Sequence, residues 1–162
     1  MEELTFQQFI TEVNRTYKEE EDFYRRLARH SGLSDAAFWV LYSIETAPGP
    51  VTQTDIGSTL MLSKQTINSA LKQLEHSGHI CLSDGPGRKK YLRLTRQGRA
   101  LSDRAIRPTL EVERGAFLGL AEEERASLLA LERKYLSLLL QKSEQIFNIS
   151  QEESSNYADQ AF

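Results

Sequence analysis

The chain has 162 residues, of which 40% are hydrophobic and 27% are charged, the composition of an ordinary soluble protein with one well-buried core. No apolar run approaches the roughly 20 residues that cross a bilayer, and the acidic, amphipathic start differs from a signal peptide, so no membrane partner is expected. Because Cys81 is the one cysteine, an intramolecular disulfide is excluded, and we expect a cytoplasmic protein.

The positive charge is concentrated in one segment. Of the 20 Lys and Arg, ten lie between Met61 and Arg107 beside three acids, which gives this segment a net charge of +7. The rest of the chain carries ten basic and 20 acidic residues, a net charge of −10. A basic segment in an otherwise acidic protein is typical of a surface that binds a polyanion with one face.

The first half of the chain predicts three helices. Apolar residues recur at helical spacing from Leu4 to Leu27, and Gly32 follows as a stop signal. Ser34 is a predicted N-cap of a second helix, which Pro48-Gly49-Pro50 closes. Thr52 opens a short third helix, with Asp55 in the position of a capping-box acid.

A second short helix and a hairpin follow. Ser63 is the predicted cap of a helix that ends at Gly78 and has an apolar face turned inward. Residues 80–82 and 91–94 predict two strands, joined by a turn over residues 84–87. The basic run Arg88-Lys89-Lys90 leads into the second strand.

The C-terminal part predicts long helices. Thr95 caps one, which Pro108 should kink or interrupt. The last helix, from 122 to 147, has two apolar stripes, so it needs two partners, one of which we expect to be a second subunit. Residues 148–162 are polar and aperiodic, and we expect a flexible tail there.

The order helix, turn, helix, basic hairpin indicates duplex DNA. A helix with small polar residues at its start presents hydrogen-bonding groups to the major groove. Taken alone, that helix is equally consistent with an ordinary solvated face. The basic hairpin favours DNA, because a flexible arm can reach the minor groove or its phosphates. The predicted DNA-binding residues are Ser63, Lys64, Gln65, Thr66, Asn68, Ser69, Lys72, Arg88, Lys89 and Lys90.

From Leu33 to Leu101 the chain resembles the MarR family of winged helix-turn-helix regulators. The resemblance rests on the segments 54–57 (TDIG), 62–68 (LSKQTIN), 74–80 (LEHSGHI) and 94–101 (LTRQGRAL). It implies a homodimer on a pseudo-palindromic operator, usually a repressor released by a small ligand or by thiol oxidation. Two positions depart from the family pattern. Ser69 stands where many members have a basic residue. The family's wing often has an acid two positions before its arginine, whereas the acid nearest to Arg88 is Asp84.

Trp39 and Tyr42 lie off the predicted core face of the second helix. Structural packing is one interpretation, and the lining of an effector cleft between the dimerisation helices and the DNA-binding lobe is the other. His76 and His79 have a metal-like spacing but no third ligand, so they are interpreted as surface or capping residues. Cys81, beside apolar neighbours, predicts a buried, inert thiol. Nothing in the sequence suggests a catalytic constellation, so no enzyme activity is expected.

These observations predict a mainly α fold with a small β-wing. Residues 1–147 form a single MarR-like unit, with dimerisation helices at 4–30 and 99–147 and a winged helix-turn-helix lobe at 34–98. The predicted function is that of a dimeric, ligand-responsive transcription repressor that binds double-stranded DNA, without metal or cofactor, and responds to a small apolar or aromatic effector. A winged-helix protein-interaction module is the alternative.

Overall fold

The structure, a computed structural model, describes the backbone of residues 3–87 and 89–159, and their side chains except those of 145 and 147–159. The predicted mainly α fold with a small antiparallel sheet is confirmed. The elements are α1 (Phe6–His30), α2 (Asp35–Thr46), β1 (Val51–Thr52), α3 (Gln53–Thr59), α4 (Lys64–His76), β2 (Ile80–Asp84), β3 (Lys90–Leu94), α5 (Arg96–Ala105), α6 (Arg107–Gly119) and α7 (Glu122–Asp159).

The chain divides into two compact units, one up to Glu113 and one from Arg114. The first unit contains α1 to α5, the sheet and the first part of α6. The second contains the end of α6 and all of α7. None of the helices in the described part of the chain combines the length and apolarity that crossing a membrane requires.

Hydroxyl side chains fix where the helices begin, because they accept hydrogen bonds from backbone N–H groups that have no partner within the helix. The predicted caps are confirmed. Ser34 accepts from the N–H of Ala37 at 3.2 Å, and Thr52 forms a reciprocal capping box with Asp55. The hydroxyls of Ser63 and Thr95 cap α4 and α5 by accepting from the N–H groups of Thr66 and Gly98, respectively.

The core of the first unit is built around α2. Phe38, Val40 and Leu41 have no exposed surface, and α2 packs against α1, α3, α4 and α5. The predicted inward face of α4 is confirmed, since Ile67, Leu71 and Leu74 are buried. Removing these side chains from water makes the main favourable contribution to the folding free energy of the unit.

The sheet has three strands in the order β1-β3-β2, all antiparallel. The sequence predicts only two of them. β1 is two residues long and pairs Val51 with Leu92, and a strand of this length shows no alternation that a pattern could reveal. Through β1 the central strand of the wing is hydrogen-bonded to the segment that leads into α3.

The C-terminal helices agree in part with those predicted from the sequence. The predicted interruption near Pro108 is confirmed, because α5 ends at Ala105 and α6 begins at Arg107. The predicted end of the last helix near Phe147 is wrong, since α7 continues to Asp159. Residues 148–159 contain neither Gly nor Pro, so no residue there breaks a helix. The predicted flexibility of residues 148–162 stays a prediction, and residues 160–162 lie outside the described part.

A close backbone approach joins the start of α5 to the end of α4. The Thr95 N–H donates to the carbonyl of His79 at 3.0 Å, and the Thr95 hydroxyl donates to the carbonyl of Gly78 at 2.5 Å. A Cβ atom added to Gly98 would lie 1.7 Å from the His79 oxygen. Only glycine fits this position without moving backbone.

Gly98→Ala should therefore lower the free energy of unfolding by about 1–3 kcal/mol, the cost of forcing a methyl group into packed structure. Gly57→Ala is the control, because Gly57 lies in α3 with open space around its Cα, and alanine there should be neutral or stabilising by up to about 1 kcal/mol. The measurement is urea unfolding at one protein concentration. Equal midpoints for Gly98→Ala and the wild type would contradict the prediction.

Candidate nucleic-acid interface

The solvent-facing side of α4 is polar and basic. Lys64, Gln65, Ser69 and Lys72 are exposed and line a shallow depression together with Asn68. With Ile67, Leu71 and Leu74 buried on the other side, the helix keeps these side chains on its outer face. The predicted DNA-binding residues of α4 are thus brought together on one surface.

Two of the predicted DNA-binding residues are engaged in the cap of α4. Ser63 accepts from the N–H of Thr66 at 3.1 Å, and the two hydroxyls are hydrogen-bonded to each other at 2.7 Å. Each hydroxyl still has donor or acceptor capacity for a phosphate or a base edge. Their first effect, however, is to fix the start of the helix.

Asn68 lies differently from its neighbours on α4. Its side chain is half-buried, and its Oδ1 accepts a hydrogen bond from Nε2 of Gln53, the first residue of α3. Sequence reasoning missed Gln53. The two residues are 15 positions apart, and only the packing of α3 against α4 brings them together.

The wing is a tight hairpin. The Gly85 N–H donates to the carbonyl of Lys89 at 2.9 Å, and Gly87 has a positive φ of 70°. Lys90 begins β3 and forms an ion pair with Asp84 across the strand ends. The third predicted wing residue, Arg88, lies outside the described residues.

Lys89 and Lys90 lie beside the start of α3, since they line one depression with Gln53, Thr54 and Asp55. A second depression joins Gln53 and Thr54 to Lys64 and Asn68 of α4. The outer face of α4, the start of α3 and the wing therefore form one continuous surface.

Among the described residues, Asp55 is the one acid that lines the three depressions of this surface. Its pKa is lowered, first by the backbone N–H of Thr52, then by the Thr52 hydroxyl, and to a smaller extent by the charge of Lys89. The capping box thus keeps the Asp55 carboxylate ionised close to the wing.

The remaining polar candidates are placed as follows. The predicted burial of Cys81 is wrong, because its side chain is exposed on the edge strand β2. Ile80 takes the core-facing position, and the next residue of a strand points to the opposite face. His79 Nδ1 is hydrogen-bonded to the Ser77 hydroxyl at 2.7 Å at the end of α4, which agrees with a capping role. Among the described residues, no cluster of three His, Cys, Asp or Glu could hold a metal ion.

Trp39 and Tyr42 of α2 are half-buried and pack against the edge of the core, with ring centroids 5.7 Å and 6.4 Å from that of Phe38. Both line an open groove of about 680 Å³ whose other walls are the segment 46–51 and the inner side of α3. The walls are mainly apolar and include Pro48, Val51 and Ile56. The groove therefore lies within the first unit, next to the helix-turn-helix.

Behind the groove, Tyr42 belongs to an aromatic cluster with a single carboxylate. The Trp39 ring lies 4.8 Å from Tyr24 and 5.3 Å from Tyr42, measured between centroids. The Tyr24 hydroxyl donates to Glu113 at 2.6 Å, and the Tyr42 hydroxyl donates to the same carboxylate at 2.9 Å. Sequence reasoning missed Glu113, which lies 71 residues beyond Tyr42.

Burial, and then the hydrogen bond to Glu113 and its negative charge, raise the pKa of Tyr42 to about 12. The same causes raise the pKa of Tyr24 still further. Both hydroxyls therefore remain protonated at neutral pH and act as donors to Glu113. The cluster joins α1, α2 and the first part of α6.

Comparison with known proteins matches residues 31–89 to the MarR family. The transcriptional regulator PecS of Dickeya dadantii is 32% identical over 87 residues, which are 52% of this chain and 52% of PecS. The matched part thus spans about half the length of this curated relative.

Solved structures show the same fold. NMB1585, a MarR family regulator from Neisseria meningitidis, is 24% identical with a TM-score of 0.68, covering 84% of this chain and 96% of its own. BpsR of Bordetella bronchiseptica is 23% identical with a TM-score of 0.57, covering 83% and 99%. Its DNA binding is described as regulated by 6-hydroxynicotinic acid.

The winged helix-turn-helix built from α3, α4 and the hairpin β2–β3, together with the match over residues 31–89 and the similarity to PecS, confirms the predicted resemblance to the MarR family.

Proposed function

We propose that the protein is a sequence-specific DNA-binding transcription regulator that acts as a homodimer on a pseudo-palindromic operator, most simply as a repressor released by a small apolar or aromatic effector. The observation that carries the proposal is the continuous surface formed by the outer face of α4, the start of α3 and the wing. The family consists of DNA-binding regulators and not of enzymes.

The chemistry of this surface suits duplex DNA. Gln65, Asn68 and Ser69 carry the small polar groups that hydrogen-bond to base edges in the major groove. Lys64, Lys72 and Lys89 border the same surface and supply the positive charge that binds phosphates. Helix-turn-helix proteins dock their second helix in the major groove in this manner.

Exposed apolar side chains on α7 support the homodimer. Within the second unit, leucines are exposed on several faces of this helix, each by about half of its surface. They are Leu128, Leu129, Leu131, Leu136, Leu138, Leu139 and Leu140. A monomer rarely tolerates a large continuous apolar surface, whereas a second copy of the chain would cover it.

The groove beside Trp39 and Tyr42 supports the effector site. Its volume and its apolar walls are typical of small-molecule pockets. It is bounded by β1 and α3, so a ligand bound there would contact elements that carry the DNA-binding surface. Such a ligand releases DNA only if it binds one dimer geometry more tightly than the other.

Dimerisation predicts that sedimentation at micromolar concentration gives a species of twice the 18.5 kDa chain mass. Leu131 and Leu138 lie on one apolar stripe of α7, and Leu129 and Leu136 lie on the other. Changing both leucines of a stripe to Glu should dissociate the dimer if the second copy covers that stripe. Glu132→Gln on the same helix is the control. An 18.5 kDa species without self-association for the wild-type chain would rule out the dimer.

The division of roles on the DNA surface predicts two different effects. Asn68→Ala should cost about 1–3 kcal/mol per base pair read and leave the salt dependence nearly unchanged. Arg88→Ala should weaken binding to operator and random DNA alike. It should also lower the slope of log K against log salt by roughly 2, since a dimer loses two phosphate contacts of about 0.9 each.

Both variants are measured on an operator selected from a random duplex library and on its scrambled form, across a salt series. The assignment of roles fails if Asn68→Ala weakens both duplexes equally while Arg88→Ala affects neither. A wild-type chain that selects no sequence would instead favour a protein-interaction module.

The effector site predicts a change in the emission of Trp39, the one tryptophan of the chain, when a ligand releases DNA. Small aromatic compounds, beginning with 6-hydroxynicotinic acid, are titrated against the protein while fluorescence and operator binding are followed. Trp39→Phe and Tyr42→Phe should weaken release. The groove is the wrong site if an active ligand leaves the emission unchanged and both variants keep full release.

A further inference from the structure

One hydrogen bond connects the side chains of the two helices of the helix-turn-helix on their DNA-facing side. Nε2 of Gln53, at the first position of α3, donates to Oδ1 of Asn68, at the fifth position of α4. Gln53 is exposed, and Asn68 is half-buried in the depression that the two helices share.

The starts of both helices are already held by other groups. Thr52 and Asp55 form the capping box of α3, and Ser63 with Thr66 caps α4. A hydrogen bond between two amides open to water adds little to stability. The main consequence of the Gln53–Asn68 bond is therefore the orientation of the Asn68 amide.

That orientation decides what Asn68 can read. An amide has a carbonyl acceptor and an NH₂ donor, and an asparagine that recognises adenine uses both at once. With the carbonyl of Asn68 held by Gln53, the NH₂ group is left to face DNA. A group that only donates suits guanine best, because the major-groove edge of guanine presents two acceptors, O6 and N7, and no donor.

We propose that Gln53 is a positioning residue that turns the Asn68 amide so that its NH₂ group faces the major groove and selects a guanine-type acceptor edge in each half-site. The inference rests on the proposed DNA-binding function. It assigns to the first helix of the motif a share in sequence selection without any base contact of its own.

The test replaces the hydrogen-bond donor at position 53 with an acceptor. In Gln53→Glu the partner is a pure acceptor, so Asn68 must turn its NH₂ group toward it and present its carbonyl to DNA. Gln53→Lys is a pure donor and keeps the wild-type orientation. Gln73→Glu is the charge-matched control, because it makes the same amide-to-carboxylate change at an exposed position of α4 that lines none of the depressions of the proposed surface.

Each protein is first given a random double-stranded DNA library. The wild-type operator is then substituted one base pair at a time, and affinities are measured at a single salt concentration. Comparing duplexes within one protein removes the general effect of added charge, because phosphate contacts act equally on every duplex.

At one position of each half-site, we expect the wild type and Gln53→Lys to prefer guanine. Gln53→Glu should shift that preference toward the amino edges of cytosine or adenine by about tenfold, the change expected from one base contact. Gln73→Glu should leave the preference unchanged. In an Asn68→Ala background, the three residues at position 53 should give the same base preference.

Two results would overturn the inference while leaving the proposed function intact. One is an unchanged preference in Gln53→Glu at every position. The other is an equal shift in Gln73→Glu, which would make the effect one of charge. A wild-type chain that enriches no sequence from the library would overturn both the inference and the proposed function.

Discussion

The rest of the first unit depends on the complete burial of one side of α2. Phe38, Val40 and Leu41 are removed from water, and α1, α3, α4 and α5 pack around this helix. The same helix also carries Trp39 and Tyr42, which are half-buried and pack against that core. Helix α2 thus packs against α3 and α4 and also lines the groove that is proposed to bind an effector. A ligand in the groove would act on an element against which both α3 and α4 pack.

The surface proposed to bind DNA is assembled by local hydrogen bonds rather than by charge. Capping hydroxyls set the first turns of α3 and α4, and the Gly98 approach sets where α5 leaves the wing. The net charge of the basic segment overstates the positive charge that is available to the proposed DNA-binding surface. Lys90, Arg99 and Arg107 are ion-paired with Asp84, Glu45 and Asp103, respectively. The pair between Arg99 and Glu45 joins α5 to α2, so this cation has a structural partner within the unit.

Glu45 and Glu113 show how carboxylates connect helices that are distant in sequence. Glu45 accepts from the buried hydroxyl of Ser102 at 2.8 Å, and Glu113 accepts from two tyrosines. A half-buried carboxylate is stable where several donors satisfy it, since the loss of hydration must be offset by hydrogen bonds. These two residues fix the C-terminal part of α2 against α5 and against the first part of α6.

The sequence alone determined the helix starts, the inward face of α4, the turn of the wing and the resemblance to the MarR family, because each depends on residues within a few positions of one another. Ser34, Thr52, Ser63 and Thr95 bond to backbone three residues away, and local spacing reveals them. Tertiary structure decided what depends on distant residues. It added β1, whose two residues become a strand only beside Leu92. It exposed Cys81 at a sheet edge, joined Tyr24 and Tyr42 through Glu113, and placed Gln53 against Asn68. In each case the partner comes from another element, and side-chain packing of elements far apart in the chain leaves no periodic signal.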